Sequence, residues 1–243
     1  GTTLSYDLIR RYARQGPAEI EVSGPRKHQA LVLRRRLGYF GFDLDALVEP
    51  LDREIPAELL PVLVEALVSA LLGGETTHPS QGRVRRGAAE LSELWRRSGG
   101  TLAAAAPAAV RGTLAAQLAG VTDWRGFLGT PLQLESAELV AAAERQRLLS
   151  LPGNARVLGD VVPIRYEIVD GGGVARIELR EGQARRVTPA DLPALDRPLR
   201  FAVTRGNRPA VLADSLEALR DGLQEDAARE RRAKFKSPRH RRR

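Results

Sequence analysis

Length, composition and charge exclude several kinds of protein. The 243 residues, 43% of them hydrophobic, are enough for one large domain or two small ones, which excludes a wholly disordered chain. The absence of cysteine excludes disulfides, zinc sites built from thiolates and cysteine nucleophiles. The most apolar run, residues 57–72, contains Glu65 and is shorter than the roughly 20 residues of a membrane span. We therefore expect a buried helix at 57–72 and a cytoplasmic protein.

The net charge of +8 is concentrated at one end of the chain. Residues 226–243 hold nine Lys and Arg against two Asp and Glu, whereas residues 1–225 hold 29 against 28. Residues 1–40 are also basic, with eight cationic and three anionic side chains. Residues 41–80 are acidic, with one cationic and eight anionic side chains. This pattern predicts an arginine-rich surface, an acidic surface and a basic tail.

The first residues predict a helix followed by a β-hairpin. Apolar residues recur at helical spacing up to Gly16, which precedes a proline and is typical of a helix end. Two β-like runs follow at 18–22 and 28–36, and their alternation places Arg34 and Arg36 on the outer face of the hairpin. Because the chain begins with glycine and opens directly into a helical pattern, we expect it to be the C-terminal part of a longer polypeptide.

From residue 44 to about residue 152 the periodicity predicts helices. Apolar stripes and stop signals indicate helices at 57–72, 84–100, 107–120 and 136–153, and a short helix after Thr122 or Asp123 as its N-cap. The stripe of the second of these helices consists of Val84, Ala88, Leu91 and Trp95.

Beyond Pro152 the apolar period changes to that of β-strands. The residues predicted to face the core are Ile164, Tyr166, Ile168, Ala175, Ile177, Leu179, Leu199, Phe201, Val203 and Val211. Asp170 and the three glycines at 171–173 lie between two such strands and are not followed by Lys-Ser, so they predict a hairpin turn instead of a phosphate-binding loop. A last helix begins after Ser215 and leads into the tail.

These elements predict an α+β fold. We expect an N-terminal helix and hairpin, a central helical bundle, a small antiparallel sheet or partial OB-like barrel, and a final helix with a disordered basic tail. The expected domains are a helix and β-hairpin subdomain at 1–54, a helical region at 55–152, a small β-rich domain at 153–213, and the helix and basic tail at 214–243.

Catalytic and metal-binding patterns are not found in the sequence. Ser80 lacks the preceding glycine of a nucleophile elbow, and His28, His78 and His240 are isolated from one another. Acidic pairs such as Asp43 and Asp45 fall in the acidic segment and are expected to be solvated. We therefore expect no catalytic residue, no metal and no cofactor in this chain.

Clustered arginine is the remaining positive signal, because guanidinium groups bind the phosphates of nucleic acids. The candidate nucleic-acid-binding residues are Arg34, Arg36, Arg185, Arg186, Arg205, Arg208, Arg231, Arg232, Lys234 and Lys236. They occupy the outer face of the predicted hairpin, the end of a strand, a strand-connecting loop and the tail.

Four segments between residues 84 and 224 carry a resemblance to a known family. In order they are ELSELWRRSGG, LAGVTDWRGFL, ERQRLLSLPGNARVLGDVVPIRYEIVDGGGVARIELREGQARRV and LPALDRPLRFAVTRGNRPAVLADSLEALRDGL. Their order resembles the C-terminal accessory region of bacterial DEAH-type RNA helicases and related superfamily 2 helicases. The resemblance implies a helical region followed by a small oligonucleotide-binding-like part, which together bind and guide single-stranded RNA or DNA.

The Walker A motif, DEAH box and arginine finger of these helicases do not occur in this chain. The resemblance therefore implies that ATP and Mg²⁺ are bound by motor domains upstream, which would be partners in cis within an ATP-hydrolysing protein. The sequence leaves a second function open, a protein-interaction adaptor with no role in nucleic-acid binding. Its interface would be the acidic segment 43–58 and the apolar stripe near Trp95.

Overall fold

The computed structural model describes residues 11–52, 54–204 and 210–236. The β-strands are β1 (Arg14–Ser23), β2 (Ala30–Tyr39), β3 (Phe42–Pro50), β4 (Asn154–Val157), β5 (Asp160–Val169), β6 (Gly172–Leu179), β7 (Leu199–Val203) and β8 (Val211–Ala213). The α-helices are α1 (Leu60–Gly73), α2 (Gln81–Arg97), α3 (Pro107–Leu118), α4 (Trp124–Gly129), α5 (Ser136–Leu139), α6 (Ala142–Leu149), α7 (Glu181–Arg186) and α8 (Leu216–Lys236). The described part of the chain is thus α+β, as predicted.

Packing divides the chain into two compact units. Unit 1 consists of Gly1–Ser92 and Ala104–Val140, and unit 2 of Glu93–Ala103 and Ala141–Arg243. The four predicted domains follow changes in secondary structure, whereas these units follow packing, so the predicted boundaries stay a prediction.

Unit 1 contains a three-stranded antiparallel sheet in the order β1-β2-β3. The predicted hairpin is confirmed as β1 and β2. The prediction of helix from residue 44 is wrong for β3, which continues the sheet as its third strand. None of the β3 residues is buried, so the strand lacks the apolar alternation by which a sequence reveals a half-buried strand.

The core of unit 1 is formed by its helices and by the apolar face of β2. Its fully buried leucines include Leu31, Leu63, Leu67, Leu91 and Leu114. Glycine 87 on α2 allows a very close approach, because a Cβ at this position would lie 1.7 Å from the carbonyl oxygen of Leu134. Asp123, one of the two residues predicted as the N-cap of α4, does cap this helix: its side chain accepts a hydrogen bond from the Gly126 amide at 2.6 Å.

The single helix predicted over 136–153 is wrong, since two short helices occupy this stretch. α5 ends at Leu139, and Val140 has extended dihedral angles of φ −126° and ψ 129°. The Ser136 hydroxyl donates to Glu90 at 2.6 Å and does not cap α5, whose N-cap position is Glu135.

Unit 2 contains a five-stranded sheet in the order β4-β5-β6-β7-β8. Neighbouring strands are antiparallel except β6 and β7, which are parallel. α7 lies in the connection between these two strands, because a parallel pair needs a crossover that returns the chain to the starting edge. The expectation of a wholly antiparallel sheet is therefore wrong, and the OB-like alternative is not confirmed.

The predicted inward-facing strand residues of unit 2 are largely confirmed. Seven of them are buried, and Ile168, Leu199 and Val211 are partly buried; the buried ones are Ile164, Tyr166, Ala175, Ile177, Leu179, Phe201 and Val203. They pack with Leu219 and Leu223 of α8, so the sheet and this helix share one core.

The triple glycine begins in the hairpin turn between β5 and β6, as predicted, and its last two residues open β6. Asp170 and Gly171 have φ of 51° and 78°, and positive φ at both central residues is typical of two-residue hairpin turns. Gly173 already belongs to β6, where a Cβ would lie 2.5 Å from the Cα of Gly99. Because neither Gly99 nor Gly173 has a side chain, β6 can contact the backbone just after α2.

The last helix is longer than predicted. α8 begins after Ser215, whose hydroxyl accepts from the Ala218 amide at 3.1 Å, and continues to Lys236. The expectation that the basic segment is disordered is therefore wrong up to residue 236. Residues 237–243 lie outside the described residues.

Candidate nucleic-acid interface

Arg34 and Arg36 lie on one face of β2, alternating with the buried residues Leu33 and Leu37 on the other face. The guanidinium of Arg34 is 3.5 Å from the carboxylate of Glu21, and that of Arg36 is 3.6 Å from Glu19, both on β1. The side chains of Arg36 and Glu19 are 63% and 40% exposed. Exposed pairs of this kind contribute about 0–1 kcal/mol, so a phosphate can displace the carboxylate at little cost.

Arg36 also lines a surface hollow of about 780 Å³ at the end of the sheet where β2 turns into β3. Arg14, Tyr12, Tyr39, Phe40 and Asp43 line the same hollow. Arg14 is exposed and forms no ion pair with any described residue. The hollow therefore combines two accessible guanidinium groups with three aromatic rings and one carboxylate.

We call Tyr12, Tyr39, Phe40 and Phe42 the aromatic tip. Tyr12, Phe40 and Phe42 are 69%, 86% and 73% exposed. Tyr39 contacts Phe40 edge to face, with ring centroids 4.7 Å apart, and stands directly opposite Phe42 across the β2–β3 pair. The aromatic tip was not predicted from the sequence, although the segment RRRLGYFGF at 34–42 places three aromatic residues beside the predicted arginines.

Arg185 and Arg186 lie in the last turn of α7 in unit 2, and each contacts the residue four positions earlier in the same helix. Arg185 contacts Glu181 at 2.5 Å, and Arg186 donates to the carbonyl of Gly182 at 3.1 Å. Arg220 of α8 donates to the carbonyls of Ala184 and Val187, which fixes the end of this helix. The two predicted arginines are therefore placed side by side on a well-anchored helix end.

The remaining candidates are in the C-terminal part of unit 2. Arg231, Arg232, Lys234 and Lys236 lie on α8, where Arg232 is exposed. Arg205 and Arg208 lie outside the described residues. All of these assignments stay predictions.

The apolar stripe near Trp95 does not offer the interface expected for an adaptor. Val84 and Leu91 are fully buried, and Trp95 is partly buried. This stripe of α2 serves the packing of the protein itself.

His78 is a buried residue of unit 1 with three hydrogen-bond partners. Its Nδ1 accepts from the Ser80 amide at 3.0 Å, and its Nε2 is 3.0 Å and 3.1 Å from the carbonyls of Phe127 and Thr130. The carbonyls require a hydrogen on Nε2, so the neutral tautomer satisfies every contact. Burial lowers the pKa of His78, although the two carbonyl hydrogen bonds oppose the effect. Within the described residues, no group of three or more potential ligands is arranged to hold a metal ion.

Unit 1 is expected to lose stability as the pH falls below about 6.5, the ordinary pKa of histidine. Because the pKa of His78 is lowered in the folded state, the unfolded chain binds the proton more readily, and acidification favours unfolding. Unfolding by urea between about pH 7.5 and about pH 5.5 can be followed by the fluorescence of Trp124, whose ring lies 5.1 Å from Phe127. His78→Gln is expected to remove much of this pH dependence, whereas His28→Gln, at an exposed position, should retain it.

No protein-family model matches the chain, and no curated protein matches it. Among solved structures, the crystal structure of the E. coli DExH-box NTPase HrpB is similar over 98% of this chain, with 20% sequence identity and a TM-score of 0.34. The match covers 30% of the HrpB chain.

The described residues contain no helix that is long and apolar enough to cross a membrane.

Proposed function

We propose that this chain is a non-motor region of an ATP-dependent RNA helicase and that it binds and guides single-stranded nucleic acid. The main support for the binding role is that Arg14 and Arg36 line the same surface hollow. The link to helicases is supported by the order of the four segments between residues 84 and 224, which resembles the accessory region of DEAH-type enzymes.

Phosphate binding requires cations that are accessible and not held by strong internal partners. Arg36 meets this requirement because its contact with Glu19 is 3.6 Å long and exposed. Arg97 provides the contrast, since its side chain is only 13% exposed and contacts Glu93 at 2.7 Å. The accessible arginines at the hollow are therefore better suited to binding a strand than the arginines of the core.

The test measures the affinity for labelled oligouridine over a series of salt concentrations by fluorescence anisotropy. In the double variant Arg14→Gln/Arg36→Gln, we expect about ten-fold weaker binding at low salt. Each lost phosphate contact to a single strand should also reduce the slope of log K against log salt by about 0.7, so two contacts should reduce it by about 1.4.

A matched control removes the same charge elsewhere. Arg145→Gln/Arg147→Gln neutralises two arginines of α6, one of which, Arg147, donates twice to Glu144 at 2.9 Å and 2.7 Å. If both double variants weaken binding equally, net charge and not the hollow determines the affinity, and the proposed site is wrong.

A shortened chain separates the folded part from the tail. Ending the chain at Lys236 retains α8 and removes the four arginines beyond it. We expect weaker overall binding that still depends on Arg14 and Arg36. Complete loss of binding in the shortened chain would contradict a role of the folded part.

A further inference from the structure

We propose that the aromatic tip is a stacking site for unpaired bases of the bound strand. The inference rests on the proposed nucleic-acid-binding function and adds to it the group that is recognised, the flat face of an unpaired base. It concerns different side chains from the arginines that would contact phosphate.

Aromatic residues are concentrated at this position. The chain has two Trp, four Tyr and five Phe, and four of these eleven form the aromatic tip. Three of the four are more than two-thirds exposed, so they contribute little to the core. Clustered exposed apolar side chains of this kind mark binding surfaces on proteins that otherwise bury their aromatic rings.

Phe40, the most exposed residue of the aromatic tip, has an unfavourable backbone conformation. Phe40 has φ of 47° and is followed by Gly41 with φ of 83°, so a phenylalanine occupies a turn position that favours Asn, Asp or Gly. The equivalent position of the β5–β6 turn is occupied by Asp170, a favourable residue. The ring of Phe40 does not improve packing, because its side chain is 86% exposed.

The ring faces remain accessible to a base. Tyr39 and Phe40 are inclined by 83°, and an edge-to-face contact cannot cover both faces of either ring. Arg14 and Arg36 line the same hollow as Tyr12 and Phe40, so a base on a ring would bring its phosphate near a guanidinium. Aromatic rings beside cationic groups are the arrangement by which proteins bind single strands without reading their sequence. The two guanidinium groups favour a nucleic acid over an apolar protein partner.

The test compares oligouridine with an abasic strand of equal length, using the full chain. Wild type is expected to bind oligouridine more tightly. In Phe40→Asn the affinity for oligouridine should fall by about ten-fold, the effect of losing one stacked base, and the affinity for the abasic strand should not change. Because asparagine favours positive φ, the melting temperature of this variant should equal or exceed that of wild type.

Leu158→Asn is the matched control. Leu158 has φ of 52° in the β4–β5 turn and is 38% exposed, so asparagine replaces an apolar side chain that is not aromatic at an equivalent backbone position. We expect no effect on either strand. A second variant, Phe40→Trp, retains a stacking ring and should bind oligouridine at least as tightly as wild type.

The possible failures are distinguishable. If wild type binds neither strand, the proposed function fails and the stacking site fails with it. If wild type binds both strands equally and Arg14→Gln/Arg36→Gln weakens both, the proposed function holds and base stacking is overturned. Unchanged affinity of Phe40→Asn for oligouridine would also overturn it and would leave a protein partner as the occupant of the aromatic tip.

Discussion

Gly87→Ala is expected to destabilise unit 1 by at least about 3 kcal/mol, the upper end of the usual cost of overpacking. A Cβ at residue 87 would lie 1.7 Å from the carbonyl oxygen and 2.8 Å from the carbonyl carbon of Leu134. These are backbone atoms, so no rotation of a side chain can relieve the overlap. α2 and the segment around Leu134 would have to separate.

Separation would expose a well-packed part of the core. Leu132 and Leu134 are 0% and 2% exposed, and Gln117 binds the backbone of Gln133 at both its amide and its carbonyl. The Ser136 hydroxyl holds the next residues to Glu90 on α2. The free-energy cost therefore includes the loss of these hydrogen bonds and the exposure of buried apolar surface, as well as the direct clash.

Unfolding in urea, followed by Trp124 fluorescence in a Trp95→Phe background, measures this effect. Gly112→Ala is the control, because Gly112 lies within α3 and a Cβ there meets no atom within 4 Å. Alanine is a better helix former than glycine, so the control should gain about 0.5–1 kcal/mol. Wild-type stability of Gly87→Ala would contradict the close packing of α2 on Leu134.

Much of the unit 2 sheet could be predicted because its strands are buried on one face. Alternation identified Ile164, Tyr166, Ala175 and Ile177 as core residues, and all four are buried. The direction of β7 could not be predicted in this way. Strand periodicity is the same in parallel and antiparallel pairs, and the crossover through α7 decides between them.

β3 and α8 show where local patterns are insufficient. β3 has no buried residue, and its pairing with β2 has a register irregularity between Leu37 and Gly38 that interrupts the alternation. The basic segment of α8 has few apolar residues, and its helix continues directly from the part anchored by Leu219 and Leu223. Helices propagate more easily than they begin, which composition alone does not show.

Arg34 and Arg36 of the candidate interface were predicted from the sequence, whereas Arg14 and the aromatic rings were not. The spacing of Arg34 and Arg36 on a strand was sufficient to place both on one face. Tyr12 and Phe40 are 28 positions apart in the sequence and meet at one hollow because the β1–β2 pairing brings Arg14 opposite Gly38. Such a site depends on strand register, which the sequence does not specify without the pairing partner.

Arg97→Met is expected to destabilise unit 2 by about 3 kcal/mol, the cost of removing one partner from a buried ion pair. The guanidinium of Arg97 donates to the carbonyls of Leu148 and Leu151 at 3.1 Å and 2.7 Å, at the end of α6. It also lies 5.0 Å from the ring centroid of Tyr166, which Arg197 approaches at 4.9 Å. Methionine retains an apolar stem but leaves these carbonyls without their donor.

Arg96 offers a closely matched control for this prediction. Arg96 and Arg97 both bind Glu93; burial raises the pKa of Glu93, but the two arginine hydrogen bonds outweigh this and hold the pKa below its ordinary value. Arg96 is 41% exposed against 13% for Arg97, so Arg96→Met should cost less than about 1 kcal/mol.

Unfolding can be followed by Trp95 fluorescence in a Trp124→Phe background, since Trp95 belongs to unit 2. Arg97→Lys is expected to recover little of the lost stability, because a lysine amine cannot reproduce the planar fork that contacts Glu93, the α6 carbonyls and Tyr166 together. Equal and small effects of Arg96→Met and Arg97→Met would mean that burial of the Arg97 guanidinium contributes nothing to stability. A large effect confined to Arg97 would instead explain why this arginine is unsuited to binding a strand: its donors are already used within the fold.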